Sequence, residues 1–384
     1  MNSLTTLTKN PIVVDVETTI NNSGNPFDVT NQLVTIQIKT KTLTKVFTKE
    51  NFSDILPFLN SASCLVGTNF KFDLNWLRKV LNYIPTIPIW DLQLAEFLFS
   101  NQEWKYPDLE TMCSNYNIPG KLKTIEENYW NNGINTTEIP IEELIEYGLN
   151  DVEIEYKIFQ EQIKRFKTTE KSKYNLFRLQ CADLLTLQEM EYNGIYYDEY
   201  ESIKKGTSLQ QEIEQIENKL YNLIQYKFNY NSNDDISILL YGGIKKEPIK
   251  VPIGIYKTGN RIGEIKFKND FNLITFPQIV KPIPKSELKK IGFFATDMPT
   301  LLKLKATGKA KKIISLIIER SILEKIRGTY LLGIPKLREK MNWPPNILYS
   351  TLNQCVASTG RLSSTKPNQQ NFADLAKFFC HSRY

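Results

Sequence analysis

The chain is nearly without histidine. Among 384 residues the sole example is His381, close to the C-terminus. Its scarcity removes most zinc sites and leaves no imidazole for a Ser–His–acid triad in the body of the chain. Cysteine is sparse as well. The five present (Cys64, Cys113, Cys181, Cys355 and Cys380) are scattered, with no CxxC pair, and read as reduced thiols of a cytosolic protein. Long apolar runs are also missing. The longest, near Ile313–Ile318, is interrupted by Ser315, whereas a spanning helix needs about 20 apolar residues. The opening MNSLTTLTKNP lacks the charged-then-apolar order of a signal peptide. What remains is ordinary globular material, 41% hydrophobic and 23% charged, long enough for roughly two to three domains of about 100–200 residues. With imidazole all but absent, catalysis falls to carboxylates.

Charge is segregated. The chain carries +6 overall. Residues 121–160 hold nine acids against three lysines, a net of −6, and residues 281–330 hold twelve bases against four acids, a net of +8. An acidic stretch can hold cations and a basic one can follow a phosphate backbone, although solvated faces would give the same counts.

The pattern along the chain predicts strands at Pro11–Val16, Leu33–Ile38 and Leu43–Phe47, a short helix over 52–59, a strand at Cys64–Gly67, and helices over 72–81, 91–99, 109–115 and 141–166. This is an α/β layer domain ending near residue 165. Further helices are expected over 174–192, 209–227, 298–305 and 311–332. Between them, 242–283 is rich in Lys, Pro, Gly and β-branched residues, with a hairpin tip at Tyr256–Gly263.

Three acidic motifs stand out. In Val13-Val14-Asp15-Val16-Glu17, residues i and i+2 of a strand share a face, so Asp15 and Glu17 point the same way. Two adjacent acids on a buried strand are costly unless a divalent cation lies between them. In Asn69-Phe70-Lys71-Phe72-Asp73, the last residue falls in the first turn of a helix, where the dipole favours an acid. In Tyr147-Gly148-Leu149-Asn150-Asp151, the phenol and the carboxylate are i and i+4 on one helix face. Each alone also fits a solvated strand end or helix turn.

In order, DxE, NxxxD and YxxxD resemble the three motifs of the DEDD nuclease superfamily in its tyrosine variant, and in particular the proofreading domain of family A DNA polymerases. Asp91, in Ile89-Trp90-Asp91-Leu92-Gln93, resembles the helix start that follows the second motif. The resemblance covers about residues 10–165. It implies a ribonuclease H-like fold and 3′–5′ exonuclease activity that releases nucleoside monophosphates from single-stranded DNA 3′ ends. It also implies catalytic roles for Asp15, Glu17, Asp73, Tyr147 and Asp151. Asp15, Glu17, Asp73 and Asp151 would act on two Mg²⁺ or Mn²⁺ ions, Asp73 through a coordinated water.

The second half carries Thr359-Gly360-Arg361-Leu362-Ser363-Ser364-Thr365-Lys366-Pro367-Asn368-Gln369-Gln370-Asn371. Gly360 permits a tight turn, Arg361 offers a donor fork, and the amides can both donate and accept in a minor groove, where duplex shape rather than sequence is read. This block resembles the segment of family A polymerases just before the first palm carboxylate, with Gln369 and Phe372-Ala373 departing from the usual Leu and Ile-Pro. Residues 184–198, 236–243 and 321–332 resemble the polymerase opening, its LL-x-GG segment and the thumb helix. The resemblance implies contacts to primer–template DNA from Arg361, Ser363, Ser364, Asn368, Gln370, Asn371, Lys325 and Arg327. An exonuclease domain is expected over 1–168, and a partial thumb-and-palm domain over 169–384 with an insertion near 243–285. No palm aspartates and no fingers helix follow. This chain alone is therefore expected not to polymerise, and its second half to need a separate C-terminal partner or to be poorly soluble. A cytoplasmic setting is expected, and the wealth of Asn, Ile, Lys and Tyr hints at a bacteriophage. Two alternatives stay open: a non-catalytic DNA-binding half of a split polymerase, and an RNA 3′-end trimming DEDD nuclease.

Overall fold

The β-branched run Pro11–Thr18 forms β1, the middle strand of a five-stranded sheet. The computed structural model describes residues 4–383. Around β1 lie β2 (Leu33–Lys39), β3 (Thr44–Thr48), β4 (Cys64–Gly67) and β5 (Ile89–Asp91), in the order β3-β2-β1-β4-β5. The β3-β2-β1 half is antiparallel, while β4 and β5 run parallel to β1. This is the ribonuclease H-like arrangement that the motifs imply. β5 is a strand the sequence pattern does not reveal. It has three residues, too few to show a period.

The longer helices of this region are α1 (Lys71–Leu81), α2 (Leu92–Phe99), α3 (Leu109–Tyr116), α4 (Ile141–Thr168) and α5 (Lys171–Asn193). Asp91 is not the first residue of α2 but its N-cap. One of its carboxylate oxygens accepts from the Leu94 amide at 2.8 Å, and the other accepts from the Phe70 amide just before α1, also at 2.8 Å. A single carboxylate thus satisfies orphan donors at the start of one helix and at the approach to another. α4 is fixed against β5 by Trp90, whose indole meets Phe159, Phe166 and Phe177 edge-on at 5.1, 5.5 and 4.6 Å. Such pairs add about 0.5–1.5 kcal/mol each beyond burial. The Trp90 indole N–H donates to Gln162 at 2.8 Å, and the Gln162 amide donates to the Leu92 carbonyl and to Glu96, each at 3.0 Å. The register of α4 along the sheet is therefore pinned at its C-terminal half, and this sets where its N-terminal half stands over β1.

Two compact units result: Met1–Glu199 with Ile334–Tyr384, and Tyr200–Gly333. α5 belongs to the first because Phe177, Cys181 and Leu184 enter the core around Trp90. A three-stranded sheet pairs β6 (Ile195–Tyr197) with Ile347–Leu348 on one side and Cys380–His381 on the other. The second unit is built from α6 (Glu199–Ile224), α7 (Asn233–Tyr241) and α8 (Gly308–Lys325) around Leu220, Phe228, Leu239, Leu240, Ile313 and Ile317. α6 begins ten residues before the apolar stripe at 209 because its buried face continues through the small residues Ser202 and Gly206, which an apolar pattern does not register. From the second unit extends an antiparallel ribbon, Gly243–Ile255 against Ile265–Phe276, exposed on both faces over most of its length. Among the described residues, no helix is long and apolar enough to cross a membrane.

Candidate active site

The site is assembled on β1. Asp15 and Glu17 leave the strand on one face, as the two-residue repeat requires. Asp15 is half-buried and Glu17 buried. Opposite Asp15 on β2 stands Gln37, fully buried, whose amide donates to Asp15 at 2.9 Å and reaches Glu17 at 3.5 Å. α4 crosses above and lowers Tyr147 and Asp151 onto the same place. Asp15, Glu17 and Asp151 each offer a carboxylate oxygen, all within 4.8 Å of one another. Asp73, in the first turn of α1, is buried beside them and feels the charge of Asp15.

The close approach of α4 depends on Gly148. A Cβ there would lie 2.7 Å from the Gln37 amide carbon and nitrogen. Any other side chain would push the helix off the sheet or Gln37 off the carboxylates.

Electrostatics mark the site. Burial, joined by the charges of the neighbouring acids, drives Glu17 and Asp73 well above the ordinary carboxylate range. Burial raises Asp15 too, against the opposing pull of Lys121 and Gln37. Asp151 is pushed up to about 7, burial outweighing Lys121. A group of acids so placed resists full ionisation until a cation balances it. One Asp151 oxygen is buried with no hydrogen-bond partner among the described residues. A buried, unpaired carboxylate oxygen amid clustered acids is what a hard divalent ion requires, so the donor set fits Mg²⁺ or Mn²⁺.

Sequence reasoning missed four neighbours. Gln37 positions the first two acids, and its only trace is a lone amide in the apolar strand LVTIQIK. Glu155, one turn beyond Asp151, is buried, and burial and the charge of Asp15 raise it well above its usual value. The i, i+4, i+8 spacing of Tyr147, Asp151 and Glu155 carried that signal. Trp130 packs edge-on against the Tyr147 ring at 5.6 Å. Lys121 pairs with Asp151 at 2.7 Å.

The C-terminal motif is divided. Ser363–Thr365 pairs with Thr351–Asn353, and Gly360 turns with φ of +71°. Arg361, Asn368, Gln370 and Asn371 are exposed, and Ser363 is half-buried. Ser364 is fully buried; its hydroxyl donates to the Pro367 carbonyl and accepts from the Gln369 amide. The Asn368 side chain caps Gln370, whose own amide donates to the Leu362 carbonyl. Ser364 is therefore a turn-holding residue whose hydroxyl is used inside the chain. Lys325 and Arg327 lie in the second unit, Lys325 exposed and Arg327 paired with Glu324 at 3.3 Å. Part of the basic window is likewise spent internally, because Arg320 is buried against Glu217 at 3.0 Å.

The chain is similar to known proteins. The 3′–5′ exonuclease family matches residues 2–165, the stretch that holds the sheet and the acids. The DNA polymerase family A matches residues 255–378. DNA polymerase I of Borreliella burgdorferi is 26% identical over 80% of this chain, which spans 28% of that protein. The DNA polymerase of Bacillus phage SP01 is 23% identical over 80% of the chain, which spans 34% of it. The fold of the Pol1 polymerase domain of M. smegmatis, solved with DNA primer-template and dNTP, matches with a TM-score of 0.62 at 15% identity, over 98% of this chain and 55% of that one. The fold and the acids thus define a 3′–5′ exonuclease domain joined to a polymerase-like region. Together these likenesses support a family A DNA polymerase fragment. The chain spans about a third or less of the length of the curated relatives described.

Proposed function

We propose that this chain is a proofreading nuclease of DNA replication, hydrolysing the 3′-terminal phosphodiester of DNA and releasing nucleoside monophosphates. The observation that carries the reading is the convergence of Asp15, Glu17 and Asp151 oxygens within 4.8 Å, beside the buried Tyr147 phenol. Asp15, Glu17 and Asp151 would hold two Mg²⁺ or Mn²⁺ ions, and Asp73 would take part through a water. When bound, such a pair supplies a hydroxide near neutral pH and neutralises the charge of an in-line displacement. The protein's own part is placement. Gln37 fixes the two β1 carboxylates, Trp130 braces the Tyr147 ring, and the Tyr147 phenol orients the attacking oxygen by hydrogen bonding.

Residues 1–168 would form the nuclease domain and 169–384 the duplex-binding part, in the cytoplasm of the cell that makes it. Arg361, Asn368, Gln370 and Asn371, with Ser363 and Lys325, would contact primer–template DNA, Arg327 adding phosphate contact if it leaves Glu324. Polymerisation would need a palm and fingers from elsewhere, such as a separate C-terminal half.

The test is degradation of 5′-labelled single-stranded DNA in Mg²⁺. Stepwise loss from the 3′ end, abolished in Asp15→Ala and faster on DNA than on RNA of the same sequence, is expected. Full activity in Asp15→Ala would refute the reading. Binding of primer–template with no shortening would leave a DNA-binding module instead.

A further inference from the structure

We propose that Lys121 is a resident cation of the carboxylate site, occupying Asp151 in competition with the divalent metal and thereby setting metal affinity. The inference rests on the nuclease reading of Asp15, Glu17 and Asp151.

Lys121 follows Gly120 in the loop between α3 and the short helix Thr124–Asn128. The loop is held to α4 next to the site, where the Leu122 amide donates to the Asn150 side chain at 3.4 Å. From there the Lys121 ammonium lies 2.7 Å from an Asp151 oxygen and 5.2 Å from the centroid of the Tyr147 ring. Its charge also acts on the Tyr147 phenol. Its charge acts on Asp15, Glu17, Asp151 and Glu155 alike, so one ammonium balances a set of acids drawn from β1 and α4.

An ammonium is a compact point charge on a flexible stem. The Lys121 side chain keeps 31% of its surface in solvent while Asp151 keeps 5%. The lysine can therefore withdraw from a carboxylate that cannot. A divalent ion arriving at Asp151 meets a like charge a few ångströms away, and the two must exchange or repel. With the ion in place, the phenol of Tyr147 remains the partner within the ammonium's reach. Lys121 then acts as a positioning residue, holding the phenol whose oxygen faces the site.

The experiment is a titration of the full chain with Mn²⁺ alone, free ion being counted by electron paramagnetic resonance, on wild type, Lys121→Met, Lys121→Gln, Lys121→Arg and Asp15→Ala. Both neutral variants should bind Mn²⁺ at least about tenfold more tightly than wild type, because a like charge has been removed from beside the ion. Lys121→Arg should stay within about threefold of wild type, since it keeps the charge. Without metal the neutral variants should melt lower than wild type, and Mn²⁺ should raise their midpoints by more. Unchanged or weaker Mn²⁺ binding in both neutral variants, with wild type still binding more tightly than Asp15→Ala, overturns the proposal and leaves the nuclease reading standing. Equal binding by wild type and Asp15→Ala overturns the metal site itself, and this inference with it.

Discussion

Replacing Gly148 by alanine should damage the site from behind. The added Cβ would lie 2.7 Å from the carbon and nitrogen of the Gln37 amide and 3.2 Å from its Cγ. Gln37 is fully buried and tied to Asp15 at 2.9 Å, so it cannot yield without abandoning that carboxylate. Overpacking of this kind costs about 1–3 kcal/mol. Against it stands the gain of Ala over Gly inside a helix, about 0.5–1 kcal/mol. The net expectation is a destabilisation of about 0.5–2 kcal/mol. A second background separates the two effects. Once Gln37→Ala has removed the obstruction, Gly148→Ala should change sign and stabilise by about 0.5–1 kcal/mol. Equilibrium urea unfolding of wild type, the two single variants and the double variant at neutral pH measures the cycle. A coupling of about 1–3 kcal/mol, the overpacking cost itself, is expected. If the two changes are additive within about 0.5 kcal/mol, the close approach of α4 to β2 is not what Gly148 provides.

Other consequences follow from single contacts. Gln162→Leu strips the Trp90 indole N–H, the Leu92 carbonyl and Glu96 of a shared partner, and thermal or urea unfolding should show a loss of about 1–3 kcal/mol. Tyr147→Phe keeps the ring against Trp130 but deletes the phenol, so DNA 3′-end removal should slow on the order of 10²-fold while Mn²⁺ affinity stays near wild type; equal rates would remove the phenol from the chemistry. For Asp28, burial alone would raise the carboxyl, but hydrogen bonds from Thr30, Asn22 and Asn342 outweigh it and hold the group below its ordinary value. The unfolded chain then binds more protons in acid, so this stabilisation is present above the unfolded pKa of about 3.9 and is lost as pH falls towards the lower folded value. The melting-point gap between wild type and Asp28→Asn should accordingly narrow from pH 6 to pH 3, and a constant gap would count against the assignment.

What the sequence makes legible is local geometry. Asp15 and Glu17 share a face because strand residues alternate, and Tyr147 and Asp151 share one because a helix turns every 3.6 residues. What it hides depends on contacts distant in the chain. Gln37 matters only through the antiparallel register that sets it opposite Asp15. Gly148 reads as an ordinary helix glycine until β2 lies beneath it. Lys121 sits in a charge-mixed loop 30 residues before its partner Asp151. Glu155 was within reach of the helical period, but an acid in the acidic stretch 121–160 reads as one more solvated charge until burial shows otherwise. In the C-terminal motif, exposure and use within the fold are equally invisible beforehand. Arg361 and Ser364 are three residues apart, yet one is open to solvent and the other closes a turn on Pro367.

The central claim is that β1 and α4 together form a divalent-metal nuclease site. The most direct test is anomalous diffraction from crystals of the full chain soaked in Mn²⁺, for wild type and Asp15→Asn. Strong anomalous density touching oxygens of Asp15, Glu17 and Asp151 in wild type, with Lys121 moved off Asp151, is predicted, together with its loss in Asp15→Asn with the fold unchanged. Wild-type crystals with Mn²⁺ bound elsewhere, and none at these three carboxylates at saturating concentration, would contradict the account.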